Sequence, residues 1–224
     1  MKIKFTLIFT LILIFSNVIS SQNEEDIQTL SIFSEYVKSK NYDSAYSPWM
    51  ELRSRNPRFN KAIFIYGERI LNHKIKSTSD QEKISYINDM LKLWEERKSY
   101  FPSSTPLGTY AAKACQLKYD YRNELGLTKD DLLDCFSNSY ELDSKSFTNP
   151  KSLYTYFSLV VDMYDLNKIP AKDLFNMYDL ITEKVESELK NYTNKRNSFL
   201  DENGEPKALT RKETSRLSSY NSYL

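Results

Sequence analysis

The chain has 224 residues, of which 40% are hydrophobic and 27% are charged, and these values are ordinary for a globular domain. Only 4 residues are glycine, whereas 17 are tyrosine and 12 are phenylalanine. So few glycines argue against a many-stranded β fold, which needs many turns with positive φ. The formal net charge of +1 excludes the basic excess that drives binding to nucleic acids or anionic membranes.

The N-terminal segment is typical of a secretory signal peptide. Lys2 and Lys4 precede an apolar run over residues 5–15 that only threonines interrupt, and small residues follow as cleavage positions. A transmembrane anchor is the alternative, but residues 5–20 are fewer than the roughly 20 that span a bilayer. We therefore predict that residues 1–21 are a signal peptide and that the mature protein is exported, either to the periplasm or outside the cell.

The first predicted helical hairpin shows the spacing of a tetratricopeptide repeat. Apolar residues at helical spacing predict a first helix over residues 26–40, and a second helix carries Ala45 and Trp49 on one face and ends before Pro57. Such repeats place a small residue, a large aromatic residue and a proline at these offsets. We expect Ala45 to allow close approach of the two helices and Trp49 to fill the gap to the next hairpin.

The pattern continues along the chain. Trp94 lies eight residues before Pro102, as Trp49 lies eight before Pro57, and this recurrence is the best internal evidence for a repeat. After residue 190 the pattern weakens, and a polar loop precedes a last helix with a thin apolar face. Thr128 is predicted to cap the helix over residues 129–142, with Asp131 as its capping-box partner. The predicted helices after the first hairpin cover residues 60–75, 81–100, 107–123, 129–142, about 150–164, 171–189 and 210–224.

Four stretches carry a resemblance to a known family: AYSPWMELRSRNP, FIYGERIL, ISYINDMLKLWEERKSYFP and LYTYFSLVVDMYDLNKIPAKDLFNMYDLI. They resemble exported tetratricopeptide-repeat proteins of Bacteroidetes, over roughly residues 25–190. The resemblance implies an all-α fold, a right-handed α-solenoid of about four antiparallel helical hairpins. Residues 22–190 would form this domain, and residues 191–224 a polar loop with a partial or capping helix. The resemblance also implies a cell-envelope location, supplies no catalytic residues, and suggests truncation at Leu224.

Cys115 and Cys135 are the only two cysteines. They lie ten residues on either side of Leu125, in a predicted turn, so an antiparallel hairpin would place them at similar heights. In an exported chain they form either a disulfide or two buried free thiols. Two cysteines and one distant histidine do not make a four-ligand metal set, so we predict no metal and no cofactor.

The remaining polar residues give little support to an enzyme. His73 is the only histidine, and it is predicted to lie on the surface at a helix C-terminus. Neither a nucleophile motif nor a glycine-rich phosphate loop is recognisable. The acidic clusters at residues 24–26, 95–96 and 130–131 are interpreted as solvated groups or as partners of helix dipoles.

The sequence therefore favours a non-enzymatic scaffold of the bacterial cell envelope that binds a peptide or protein partner in a concave groove. The alternative is a module that binds a glycan or small ligand through clustered tyrosines, and an enzyme is a third hypothesis. We predict no nucleic-acid partner and no membrane insertion after signal cleavage. In tetratricopeptide repeats the first helix of each pair lines the groove, and this analogy makes seven residues candidates: Ile27, Leu30, Ser34, Lys38, Lys113, Tyr154 and Tyr156.

Overall fold

The structure, a computed structural model, describes residues 23–222 and 224, and the predicted signal peptide, residues 1–21, lies outside them. The described part is all-α and contains no β-strand, only an isolated bridge between Leu200 and Pro206. None of its helices is long and apolar enough to cross a membrane. The prediction of an all-α fold is confirmed for these residues, whereas the right-handed solenoid stays a prediction.

The chain divides into an N-terminal unit, which ends at Thr105, and a C-terminal unit, which begins at Pro106. In the N-terminal unit α2 packs on α3 and α3 on α4, and the predicted helices are confirmed to within a few residues at each end. The elements of this unit are α1 (23–38), α2 (Tyr42–Arg55), α3 (Ala62–Ser77), α4 (Asp80–Tyr100) and a 3₁₀ turn (Pro102–Ser104).

Trp49 is the centre of the N-terminal core. Its side chain is fully buried, and the indole Nε1–H donates a hydrogen bond of 2.8 Å to the carbonyl oxygen of Ile63. Gly67 lies under the ring, where a Cβ atom would stand 2.7 Å from the Cζ2 atom of Trp49. Ala45 is also fully buried. The expectation that Trp49 fills the gap to the next hairpin is confirmed, and Gly67 is the residue that makes room for it.

In the C-terminal unit α5 packs on α7 and α8, α8 packs on α9, and α9 packs on α10. The end predicted at residue 189 for the helix over residues 171–189 is wrong, because α9 continues through residue 190 to Asn197. Neither proline nor glycine interrupts that stretch, and Tyr192 packs on Tyr220 of the last helix with ring centroids 6.3 Å apart. The elements of this unit are α5 (Leu107–Asp120), α6 (Arg122–Leu125), α7 (Lys129–Leu142), α8 (Pro150–Asp165), α9 (Ala171–Asn197) and α10 (Arg211–Asn221).

Polar side chains fix the ends of two helices in this unit. The hydroxyl oxygen of Thr128 accepts the backbone N–H of Asp131, whose carboxylate accepts the N–H of Thr128, and so the predicted capping box of α7 is confirmed. At the start of α5, the Asp143 carboxylate accepts the N–H of Gly108 at 3.2 Å. This bond satisfies one of the N–H groups that a helix leaves unpaired at its start, and it ties α5 to the turn after α7.

Candidate functional site

A disulfide joins Cys115 of α5 to Cys135 of α7, with their Cα atoms 5.7 Å apart. The hydroxyl of Ser139 lies 3.2 Å from the sulfur of Cys115, inside the same core. The sequence left open whether the two cysteines form a disulfide or two free thiols, and the structure contains the disulfide. The two residues lie at the same height along neighbouring antiparallel helices, as predicted. Disulfides persist in oxidising compartments, so this bond is compatible with export.

Two of the seven predicted groove residues do not face an open groove. Tyr156 is only 4% exposed and stacks on Phe136 with ring centroids 6.1 Å apart, so it belongs to the core of the C-terminal unit. Ser34 is also buried. The predictions for these two residues are wrong, because the helical faces to which they belong pack inward.

The other predicted groove residues are at least partly accessible. Ile27 and Tyr154 are exposed, and Leu30 is half-buried. The ammonium group of Lys38 lies 2.6 Å from the Glu35 carboxylate, and that of Lys113 lies 4.8 Å from the ring centroid of Tyr110. Residues 27, 30, 34 and 38 lie in the N-terminal unit, whereas residues 113, 154 and 156 lie in the C-terminal unit. A groove shared by the other five residues stays a prediction.

One acidic cluster has a different role from the one expected. Asp26 is buried rather than solvated, and its carboxylate accepts hydrogen bonds of 2.8 Å from Arg55 and from the side-chain amide of Asn56. A buried carboxylate needs such partners, since an unpaired buried charge costs several kcal/mol. Asp26 therefore fixes α1 to the end of α2, and the contact was not visible in the sequence because its partners lie about thirty residues away.

Two carboxylates converge on one buried guanidinium in the N-terminal unit. Arg53 of α2 lies 2.9 Å from Asp89 and 2.8 Å from Glu96, both on α4, and its guanidinium carbon lies 5.1 Å from the centroid of the Trp49 ring. A cavity of about 230 Å³ opens beside them. Because both carboxylates are bound to the guanidinium, this cluster joins two helices and does not leave a carboxylate pair for acid–base chemistry.

The C-terminal unit has four exposed aromatic residues and one half-buried one on a single helical hairpin, which we call the α8–α9 aromatic face: Tyr154, Phe157 and Tyr164 of α8, and Phe175 and Tyr178 of α9. The three α8 residues share one side of the helix, and Phe157 contacts Tyr178 with ring centroids 5.9 Å apart. Tyr154 is 71% exposed, Phe175 65% and Tyr178 53%. The face is therefore an accessible aromatic surface formed by both helices of one hairpin.

Sequence reasoning identified only part of this face. It singled out Tyr154 as a groove residue, and it named neither Phe175 nor Tyr178 among the seven candidates. The spacing of Phe175 and Tyr178, three residues apart, was the available signal, because residues so spaced are neighbours on a helix surface. Within residues 23–222 and 224, no group of three or more histidine, cysteine, aspartate or glutamate side chains could hold a metal ion.

Comparison of the chain with models of protein families, with curated proteins and with solved structures found no match.

Proposed function

We propose that the protein is a non-enzymatic interaction module that binds a peptide or protein partner through the α8–α9 aromatic face. The observation that carries this proposal is the exposure of Tyr154, Phe175 and Tyr178 on neighbouring helices of one hairpin. Clusters of exposed large apolar side chains mark interaction sites on folded proteins, and in this cluster Phe157 of α8 contacts Tyr178 of α9. Tyrosine and other aromatic residues are enriched among the residues that dominate binding energy at protein interfaces.

The geometry suits a polypeptide ligand. Half-buried Phe157 packs against the exposed ring of Tyr178. Because this contact already restricts the Tyr178 side chain, the ring loses little conformational freedom when a partner binds. The hydroxyl groups of Tyr154 and Tyr178 can donate hydrogen bonds to backbone carbonyl groups while the rings bury apolar area. An amphipathic helix or an extended segment with apolar side chains would supply both kinds of contact.

The finer parts of the proposal come from the sequence. We propose a tetratricopeptide-like arrangement of hairpins and a location in the cell envelope of a bacterium, after cleavage of a signal peptide at residues 1–21. The Cys115–Cys135 disulfide supports the export step, because such bonds are rare in reducing compartments.

Crosslinked affinity purification of the chromosomally tagged protein, read by mass spectrometry, tests the proposal. We expect a reproducible polypeptide partner with crosslinks near residue 172, where exposed Lys172 provides a reactive amine on α9, one turn before Phe175. The Phe175→Ala/Tyr178→Ala variant should lose that partner. Truncating one such aromatic anchor typically weakens binding by about 2 kcal/mol or more, roughly thirtyfold in affinity.

Leu142→Ala is the matched control, because Leu142 is 59% exposed at the end of α7 and lies outside the face. The control should keep the partner, and both variants should keep the far-ultraviolet circular dichroism spectrum of the parent protein. A partner that survives the double substitution, or an abundant folded protein with no partner above background, would contradict the proposal.

A glycan-binding module is the second candidate, and the exposed rings of Tyr154 and Tyr178 favour it. A flat aromatic ring with a polar tip can pack against a sugar ring and bind its hydroxyl groups. Saturable binding of an oligosaccharide that is lost in Tyr154→Ala, with no polypeptide partner in the crosslinking experiment, would select this candidate over the first.

A further inference from the structure

A polar depression lies in the N-terminal unit, between the start of α2 and the second half of α3. Its volume is about 380 Å³, and it is lined by Tyr42, Arg69, Asn72, His73 and Lys76. This volume is within the range of small-molecule sites, which is about 300–1,000 Å³. The depression belongs to a different unit from the α8–α9 aromatic face, so it needs its own explanation.

The lining is rich in hydrogen-bond donors and contains no carboxylate. Arg69, Asn72 and Lys76 follow one another at helical spacing on α3, so their side chains share one side of that helix. Among the described residues, no carboxylate forms an ion pair with Arg69 or Lys76, and the guanidinium carbon of Arg69 lies 5.7 Å from the ring centroid of Tyr66. Two cationic groups and an amide therefore face the same space with their donors available.

The carboxylate of Asp43, which contacts the lining residue His73, does not cancel the positive charge of Arg69 and Lys76. Asp43 lies 3.4 Å from the Nε2 atom of His73, but its other oxygen binds the ammonium group of Lys74 at 2.7 Å. The hydrogen bond from Lys74 is the largest cause that lowers the pKa of Asp43, so this carboxylate stays ionised and paired. The charge of Lys74 balances that of Asp43, and the charges of Arg69 and Lys76 remain uncompensated in the depression.

An aromatic pair forms one wall. The rings of Tyr42 and His73 lie with centroids 5.1 Å apart and an interplanar angle of 31°. The packing holds the imidazole in place, and the Tyr42 ring provides apolar area beside the donors. Interaction of a basic residue with the helix dipole at the C-terminus of α3 would account for the presence of a cation at Lys76. It does not account for the cation at Arg69, which lies about two helical turns before the end of the helix at Ser77.

We propose that this depression binds a doubly charged oxyanion, namely a phosphate group, either as free phosphate or as the monoester of a small sugar. The guanidinium of Arg69 can bind two phosphate oxygens at once, and the ammonium of Lys76 supplies the second charge. The side-chain amide of Asn72 can donate to a further oxygen. The rest of the volume, beside Tyr42, would accept the organic part of an ester.

His73 is the only histidine of the chain, so its imidazole gives a unique nuclear magnetic resonance signal inside the proposed site. The protein is expressed with its own N-terminal segment, purified through a tag without histidine, and titrated at fixed pH in low salt, which keeps charge screening weak. The probes are inorganic phosphate, glucose 6-phosphate and acetate. We expect the His73 signal to shift saturably with both phosphates, with a Kd of about 1 mM or tighter.

The Arg69→Gln/Lys76→Gln variant should bind phosphate at least about tenfold more weakly, because it loses both charge-assisted contacts. Lys61→Gln/Lys83→Gln is the matched control: it removes two positive charges from the same unit but outside the depression, and it should bind within about twofold of the parent protein. Circular dichroism checks that both variants are folded.

The two sources of phosphate give different results. Tighter binding of glucose 6-phosphate than of inorganic phosphate would identify a phosphorylated sugar as the ligand class, whereas equal binding would identify free phosphate. The proposal is overturned if neither phosphate shifts the His73 signal of the folded protein. Binding of acetate as tightly as phosphate, or unchanged affinity in the Arg69→Gln/Lys76→Gln variant, would also overturn it.

Discussion

Replacement of Gly67 by alanine tests the packing of the N-terminal core. At an exposed position inside a helix, this substitution stabilises a protein by about 1 kcal/mol, because alanine has the higher helix propensity. At Gly67 the reverse is expected. The added Cβ would stand 2.7 Å from the Cζ2 atom of Trp49 and 2.9 Å from both Cε2 and Nε1, inside the van der Waals distance of all three atoms.

The indole ring has little room to move away. It is fully buried, and its N–H is bound to the carbonyl oxygen of Ile63 at 2.8 Å. Overpacking of a close-packed core costs about 1–3 kcal/mol, and a weakened hydrogen bond costs about 1 kcal/mol more. After the gain in helix propensity is subtracted, Gly67→Ala should lower the free energy of unfolding by about 1–3 kcal/mol.

A double-mutant cycle with Trp49→Phe makes the test specific. Phenylalanine has one six-membered ring and lacks both the indole N–H and the second fused ring that carries Cζ2, the atom nearest the new methyl group. In this background Gly67→Ala should therefore be neutral or stabilising. Urea unfolding followed by circular dichroism measures the four proteins, and the coupling energy should be at least about 1.5 kcal/mol. The same cost of Gly67→Ala in both backgrounds, or a gain in the wild-type background, would refute the packing argument.

Two further predictions concern the C-terminal unit. The Cys115→Ala/Cys135→Ala variant should be less stable than the parent protein by about 3 kcal/mol in urea unfolding, because the bridge closes a loop of 20 residues. Reductant should destabilise the parent protein and leave the stability of the variant unchanged. A parent protein whose stability does not change in reductant would contradict the prediction. The pKa of Asp143 is lowered mainly by the hydrogen bond from the Ser146 hydroxyl and, after that, by the one from the Gly108 N–H. A lowered folded-state pKa contributes stability at neutral pH that is lost as the pH falls below about 4 and through the lowered value. Acid unfolding of Asp143→Asn should therefore show a shallower loss of stability over that range, and a slope equal to that of the parent protein would be evidence against this role.

The sequence predicted most of the helices because buried apolar residues recur at helical spacing. It also predicted the positions at which local chemistry decides the structure, such as the capping box of Thr128 and Asp131. Trp49 was recognised as a core residue because the spacing of Ala45, Trp49 and Pro57 is that of a helical repeat. These predictions depend on residues that are close in the chain, and local rules are sufficient for them.

The candidate sites were mostly not predictable, for a physical reason. Periodicity identifies which side of a helix is buried, but it does not say which exposed residues of different helices meet. The depression brings Tyr42 of α2 together with Arg69 of α3, and the aromatic face brings Phe157 of α8 together with Tyr178 of α9. Tyr156 was misassigned for the same reason, since analogy placed it on an exposed side that the packing of Phe136 made interior.

The two proposed surfaces share a property that separates them from the rest of the fold. Exposed Phe175 adds little to the free energy of unfolding, and its apolar area favours association with other molecules. Arg69 and Lys76 line one depression, and among the described residues no carboxylate forms an ion pair with either. A polar residue at 175 or a carboxylate at 69 would support the same helices equally well. These side chains are therefore better explained by the molecules they contact than by folding, and substitutions there should change binding and leave stability unaltered.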